Sequence, residues 1–177
     1  MTITLQAFGR EDFQRLIDWA VSPEFLLQWA GPIFRFPLDT PQLEEYLAAA
    51  AEAPPKRRIF RAVADGEVVG HVELDAIDVW NGSARMSRVL VADAWRGRGA
   101  GYAMVQAILE FGFGDLGLHR VDLVVFDFNL AAIACYEKAG FLREGYIRDA
   151  RRMGESYWSL YLMGMFEDEW RKGPGLR

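Results

Sequence analysis

The stretch Trp95-Arg96-Gly97-Arg98-Gly99-Ala100-Gly101 decides the reading of this chain, because it sets three glycines between an apolar strand and an amphipathic helix. Without a Cβ, that backbone can turn sharply and approach a ligand closely. The first amides of the following helix are unpaired donors at the positive end of its dipole. Such a site favours an anion, most naturally a phosphate. Taken alone, a glycine triplet is more often a plain strand-to-helix turn in which Gly supplies positive φ. Two other phosphate loops are excluded by the letters: no Gly-Lys-Ser/Thr ending follows, and the glycine spacing is not Gly-x-Gly-x-x-Gly.

Upstream of the loop, Arg58 to Ala64, the Asp65-Gly66 turn and Glu67 to Val79 read as a β-hairpin, and Asn81-Gly82 turns the chain again into Ala84 to Val91. Earlier still, Thr2 to Phe8 alternates as a strand, and Arg10 to Ala20 carries Phe13, Leu16, Ile17 and Ala20 at helical spacing. Val21 to Pro41 holds Pro23, Gly31, Pro32, Pro37 and Pro41 among aromatic residues, which predicts an irregular segment too apolar for a solvated loop. Thr40 then caps a helix that Pro54-Pro55 stops. Downstream, a helix with Met104, Ile108 and Phe111 on one stripe leads to the strand Val121 to Phe126. Asn129 caps a short helix, Leu130 to Ala139, closed by Gly140, and two strands follow over Phe141 to Arg148 and Ser156 to Met165. No repeat or linker interrupts the 177 residues, so a single domain over 1–177 is expected.

Hydrophobic residues make up 51% and charged residues 25%, enough for a packed core and against long disorder. The net charge of −5 gives no overall basic field for a nucleic-acid backbone, so no nucleic-acid partner is expected. One cysteine, Cys135, and two histidines, His71 and His119, cannot form a disulfide or a zinc site of Cys and His alone, and no metal is expected. No run approaches a membrane span and no leader pattern opens the chain, which points to a cytoplasmic protein without a membrane partner. A homodimer is a further expectation, since symmetric dimers are common and exposed aromatic residues could serve one.

Read as Arg-x-x-Gly-x-Gly, with Arg96, Gly99 and Gly101 in the fixed places, the loop resembles the acyl-CoA pyrophosphate loop of the GNAT superfamily of N-acetyltransferases. Val89-Leu90-Val91 resembles the strand before that loop. Asn129, Ala132, Tyr136, Ala139, Gly140 and Phe141 reproduce the family's Asn-x-x-Ala-x-x-x-Tyr-x-x-Ala-Gly-Phe signature. The detailed resemblance covers about Ser83 to Leu142. It implies an α+β fold: a mixed, mostly antiparallel sheet of about seven strands, splayed between the fourth and fifth and flanked by four helices. It also implies transfer of an acetyl group from acetyl-CoA to a primary amine by direct attack in a ternary complex. The acceptor would be a protein N-terminus, a polyamine or another small amine. The alternative is a non-catalytic acyl-CoA-binding regulatory or interaction module.

By that resemblance Val89, Leu90 and Val91 line the pantetheine arm. The backbone of Arg96, Gly97, Arg98, Gly99, Ala100 and Gly101 holds the diphosphate, with Arg98 adding charge, and a strand amide near Val91 stabilises the thioester oxyanion. Asn129 contacts the cofactor or caps its helix, or does both. Ala132 gives the cofactor room to pass. Tyr136 is the general acid for the leaving thiolate; without the family it reads as a core aromatic. Some family members carry a glutamate on the strand before the loop, where this chain has Arg85. On the preceding strand His71, Glu73 and Asp75 share one face, and Glu73 is the candidate base, acting directly or through water; the plainer reading is a solvent-facing polar stripe. Trp29, Phe34 and Phe36 are candidate walls of an acceptor pocket, or rings that close one end of the core. Cys135 reads as a small buried hydrophobe and His119 as structural.

Overall fold

Turn chemistry builds the first half of the sheet. Asp65 and Gly66 both take positive φ, as a tight two-residue hairpin turn requires, and join β2 (Arg58–Ala64) to β3 (Glu67–Asp78). The computed structural model describes residues 1–173. Its other elements are β1 (Thr4–Ala7), α1 (Phe13–Trp19), α2 (Pro23–Ala30), α3 (Thr40–Ala48), β4 (Ser83–Val91), α4 (Ala100–Leu109), β5 (Arg120–Phe126), α5 (Leu130–Ala139), β6 (Leu142–Met153), β7 (Ser156–Phe166) and α6 (Glu167–Lys172). The expected α+β class holds, with seven strands and, among the described residues, six α-helices rather than four.

The two additional helices have local causes. The segment expected to be irregular contains α2: Ser22 Oγ accepts the Phe25 N–H at 3.1 Å, Pro23 takes the first helical position, and Gly31 at positive φ ends the helix. Pro23 and Pro41 each sit in the first turn of a helix, α2 and α3. At the other end, Glu169 accepts the Phe166 N–H at 3.0 Å and starts α6. The cap of α3 is Asp39, which accepts the Gln42 N–H, so Thr40 and Pro41 lie inside the first turn.

The sheet order is β1-β2-β3-β4-β5-β7-β6. All neighbours are antiparallel except β4 and β5, which pair only between Ser83–Arg85 and Arg120–Asp122. Beyond those rungs β4 stays with β3 while β5 stays with β7, and the expected splay opens. One extra residue in β4 between the Glu73–Ser87 and His71–Leu90 pairs makes a bulge, with Arg88 at φ +52°. The bulge changes the phase of the strand. Ala84, Met86, Val89 and Val91 serve one core, whereas Arg88 and Leu90 face the other.

These cores lie on opposite faces. Beneath α4 and α5, Leu74, Met86, Met104, Ile108, Leu123 and Met163 form an aliphatic core. Gly70 permits the close approach of α4, because a Cβ there would come within 2.5 Å of both the Leu90 carbonyl and the Met104 sulfur. Beneath α1, α2 and α3, Phe8, Leu16, Leu26, Trp29, Leu43 and Leu90 form a second core, richer in aromatic rings. That second layer covers the face bearing His71 and Glu73, so the plainer expectation of a solvent-facing stripe is corrected: both are buried.

Candidate active site

The glycine loop closes β4 against α4. Gly97 has φ +72° and Gly99, the N-cap of α4, has φ +87°. A Cβ at either would meet nothing within 4 Å, so backbone conformation rather than crowding calls for glycine, and the loop borders open space. The first intrahelical bond is from Ala103 N–H to the Gly99 carbonyl at 3.0 Å, which leaves the amides of Ala100 and Gly101 ahead of it as terminal donors. The Arg96 side chain braces the loop: Nε donates to the Val91 carbonyl at 3.1 Å, and a terminal nitrogen pairs with Asp93 at 2.8 Å. Arg98 instead lines a cleft of about 580 Å³ that runs along α4 past Tyr102 and Gln106 toward Ile3 and Trp170.

Across the splay, α5 presents the second motif. Asn129 Oδ1 accepts the Ala132 N–H at 3.3 Å, so the capping role is realised and the side-chain amide hydrogens are left over for another partner. Tyr136 is buried, with its ring edge-on to Phe141 at 6.1 Å between centroids. Burial pushes its phenol well above the ordinary tyrosine range, so it keeps its proton at neutral pH. Cys135, half-buried, has its thiol raised by burial and lies 3.9 Å from where a Gly101 Cβ would be. Lys138 Nζ sits 4.8 Å above the Tyr102 ring and ties α5 to α4.

On the other face of the sheet lies a buried polar network. Glu73 is 0% exposed, and its Oε1 accepts from Arg88 at 2.5 Å. Its Oε2 accepts a short hydrogen bond from the Tyr46 hydroxyl, whose oxygen also meets His71 Nε2 at 3.1 Å. Arg57 stands 3.6 Å from Glu73 and joins Asp75 at 3.2 Å, and Arg88 reaches the same Asp75. Burial pushes the Glu73 carboxyl up to about 7, against the opposing pull of Arg88, Tyr46 and Arg57. Burial, then the Arg88 charge, lowers His71 to about 3, so its ring is neutral. Trp29 and Phe34 are both buried here; Trp29 Nε1 donates to the Arg88 carbonyl at 2.9 Å and holds the bulge, while Phe34 packs edge-on to Tyr46. They close the core around the network. Phe36 is 45% exposed and stands apart.

The structure thus gathers Glu73 with Trp29 and Phe34 on one face of the sheet, and on the other sets Ala132 and Tyr136 of α5, the helix that packs against α4 behind the glycine loop. Tyr46, Arg57 and Arg88 escaped sequence reasoning. The Val89-Leu90-Val91 run conceals the phase change at Arg88, because it reads as apolar in either register.

Residues 23–141 match the model of the acetyltransferase (GNAT) family. The chain belongs to that family. It is 27% identical to the prophage-derived N-acetyltransferase YokL of Bacillus subtilis, over 98% of this chain and 94% of the relative. It is 29% identical to the aminoglycoside N(6')-acetyltransferase type 1 of Klebsiella pneumoniae, over 81% of this chain and 76% of that one. The spermidine N-acetyltransferase of Vibrio cholerae, solved with CoA and spermine, shares its fold at a TM-score of 0.83 and 24% identity, over 96% of this chain and 98% of the other. This GNAT chain is an acetyl-CoA-dependent N-acetyltransferase. Among the described residues, no three His, Cys, Asp or Glu side chains are placed to hold a metal ion, and no helix is long and apolar enough to cross a membrane.

Proposed function

We propose that this enzyme acetylates a primary amine of a small polycation by direct attack on acetyl-CoA within a ternary complex. The observation that carries the reading is the parting of β4 from β5, with the amide donors of the glycine loop following β4 and a buried carboxylate on the neighbouring β3. The splayed strand ends leave room for a pantetheine arm beside Val89, Leu90 and Val91. The amides from Arg96 to Gly101 suit a diphosphate, with Arg98 adding charge and Ala132 giving clearance beside Asn129. Two named relatives act on polycations, spermidine in one case and aminoglycosides in the other. A net charge of −5 draws such acceptors toward the surface.

In this reading the acceptor ammonium gives a proton to Glu73. Because Glu73 has no exposed surface, the proton arrives through an intervening water rather than by direct contact. The freed amine attacks the acyl carbon and the new C–N bond forms; the C–S bond breaks as Tyr136 gives its proton to the departing thiolate, and the proton that the acylated nitrogen loses restores the Tyr136 phenol. A strand amide near Val91 stabilises the oxyanion. A base titrating near 7 is matched to work at neutral pH. The test is thiol release from acetyl-CoA against spermine, spermidine, aminoglycosides, amino acids and peptide N-termini, with both substrates varied. Polycation-dependent turnover with intersecting double-reciprocal lines is expected; parallel lines, or turnover confined to peptides or amino acids, would refute the proposal.

A further inference from the structure

The Tyr46 hydroxyl owns one proton, and its neighbours decide where it goes. Arg88 donates to Glu73 Oε1, so the carboxyl is already held as an acceptor on that side. The Tyr46 proton points at Oε2, which leaves the hydroxyl oxygen to accept from His71 Nε2. Neutral imidazole has one N–H, and here it must sit on Nε2. Nδ1, which has no hydrogen-bond partner among the described residues, is then a bare lone pair rather than a stranded donor. The chain His71 to Tyr46 to Glu73 is therefore directional. Reversing it would put a hydrogen on Nδ1 with nothing to receive it. The rings of Phe8 and Trp29 stand edge-on to the imidazole and hold it in place.

We propose that Tyr46 is a positioning residue for acetyl transfer: oriented by His71, it fixes the Glu73 carboxyl in the proton-accepting state that deprotonates the amine. The inference rests on the reading of Glu73 as the base. The charged and titratable groups facing Glu73 are Tyr46 from α3, Arg57 ahead of β2, Arg88 from β4, and His71 and Asp75 on its own strand. Of these, Tyr46 supplies the neutral donor. It stays protonated across the working range, because burial and the Glu73 charge raise its phenol well above the ordinary value.

The test follows the Glu73 carboxyl itself by carbon-13 NMR of the full chain, its resonance assigned by its loss in Glu73→Gln. Removing a hydrogen bond to a charged group should move the Tyr46→Phe titration one to two pH units upward, about 10- to 100-fold in proton affinity. The rising limb of kcat/KM with spermine should move with it, while rates above pH 9 stay within about threefold. An unmoved carboxyl titration in folded Tyr46→Phe overturns the proposal. Should that variant not fold, His71→Leu should raise the titration, while His71→Gln, whose amide can replace the Nε2 donor, should hold it in place; identical behaviour of the two overturns it equally. The base reading fails separately, if the kinetic limb persists in Glu73→Gln.

Discussion

The two faces of the sheet are built on different terms. Under α4 and α5 the core is mostly aliphatic, with Phe113, Phe141 and the Tyr136 phenol as its buried rings. Under α1, α2 and α3 an aromatic layer seals in a carboxylate, a guanidinium, a phenol and an imidazole. Replacing such a cluster by apolar residues is often neutral or stabilising, so a fold does not require one. The first face supports α4 and α5 beside the loop; the second gathers Tyr46, His71 and Glu73, three coupled groups whose proton affinities burial has moved. The bulge at Arg88 lets one strand serve both faces.

The contrast can be broken from either side. On the polar face, Glu73→Gln should lower kcat/KM by about 10²- to 10⁴-fold and remove the limb that rises through pH 7, as read from a pH–rate profile. On the aliphatic face, Ile108→Ala should lose about 2–5 kcal/mol of unfolding free energy in a denaturant titration while leaving the position of that limb unchanged.

A third test sharpens the difference through linkage. His71 is neutral in the fold down to about pH 3 but titrates at 6.5 when unfolded, so between those values the unfolded chain binds more protons and His71 costs stability as pH falls. Relative to the native chain, His71→Gln should therefore gain roughly 2 kcal/mol of stability between pH 7.5 and pH 5. No change in the stability difference would mean that the imidazole is not buried neutral. Tyr136→Phe should slow turnover about tenfold or more with CoA affinity unchanged, as measured by steady-state kinetics and calorimetry. The smallest effect is expected of Gly99→Ala: at φ +87° it should cost about 1 kcal/mol of thermal stability and weaken CoA binding.

Local signals made half of this legible in the sequence. The Gly97 and Gly99 loop, the Asn129 cap and the Gly140 stop depend on backbone conformations that particular residues demand, and each appears where the letters put it. Period-two alternation correctly grouped His71, Glu73 and Asp75 on one face, yet it cannot say what covers that face. The cover is α1 to α3, and α2 was concealed because its boundary prolines resembled loop residues. Arg57, Arg88 and Tyr46 meet Glu73 only through tertiary contacts spanning 15 to 27 residues of sequence, which no local pattern carries.

The most direct test is a crystal structure with CoA bound. The account predicts the diphosphate within about 3 Å of amide nitrogens between Arg96 and Gly101, and the pantetheine arm between β4 and β5, with its sulfur directed toward Tyr136. A diphosphate held away from those amides, with the splay left empty, would contradict it.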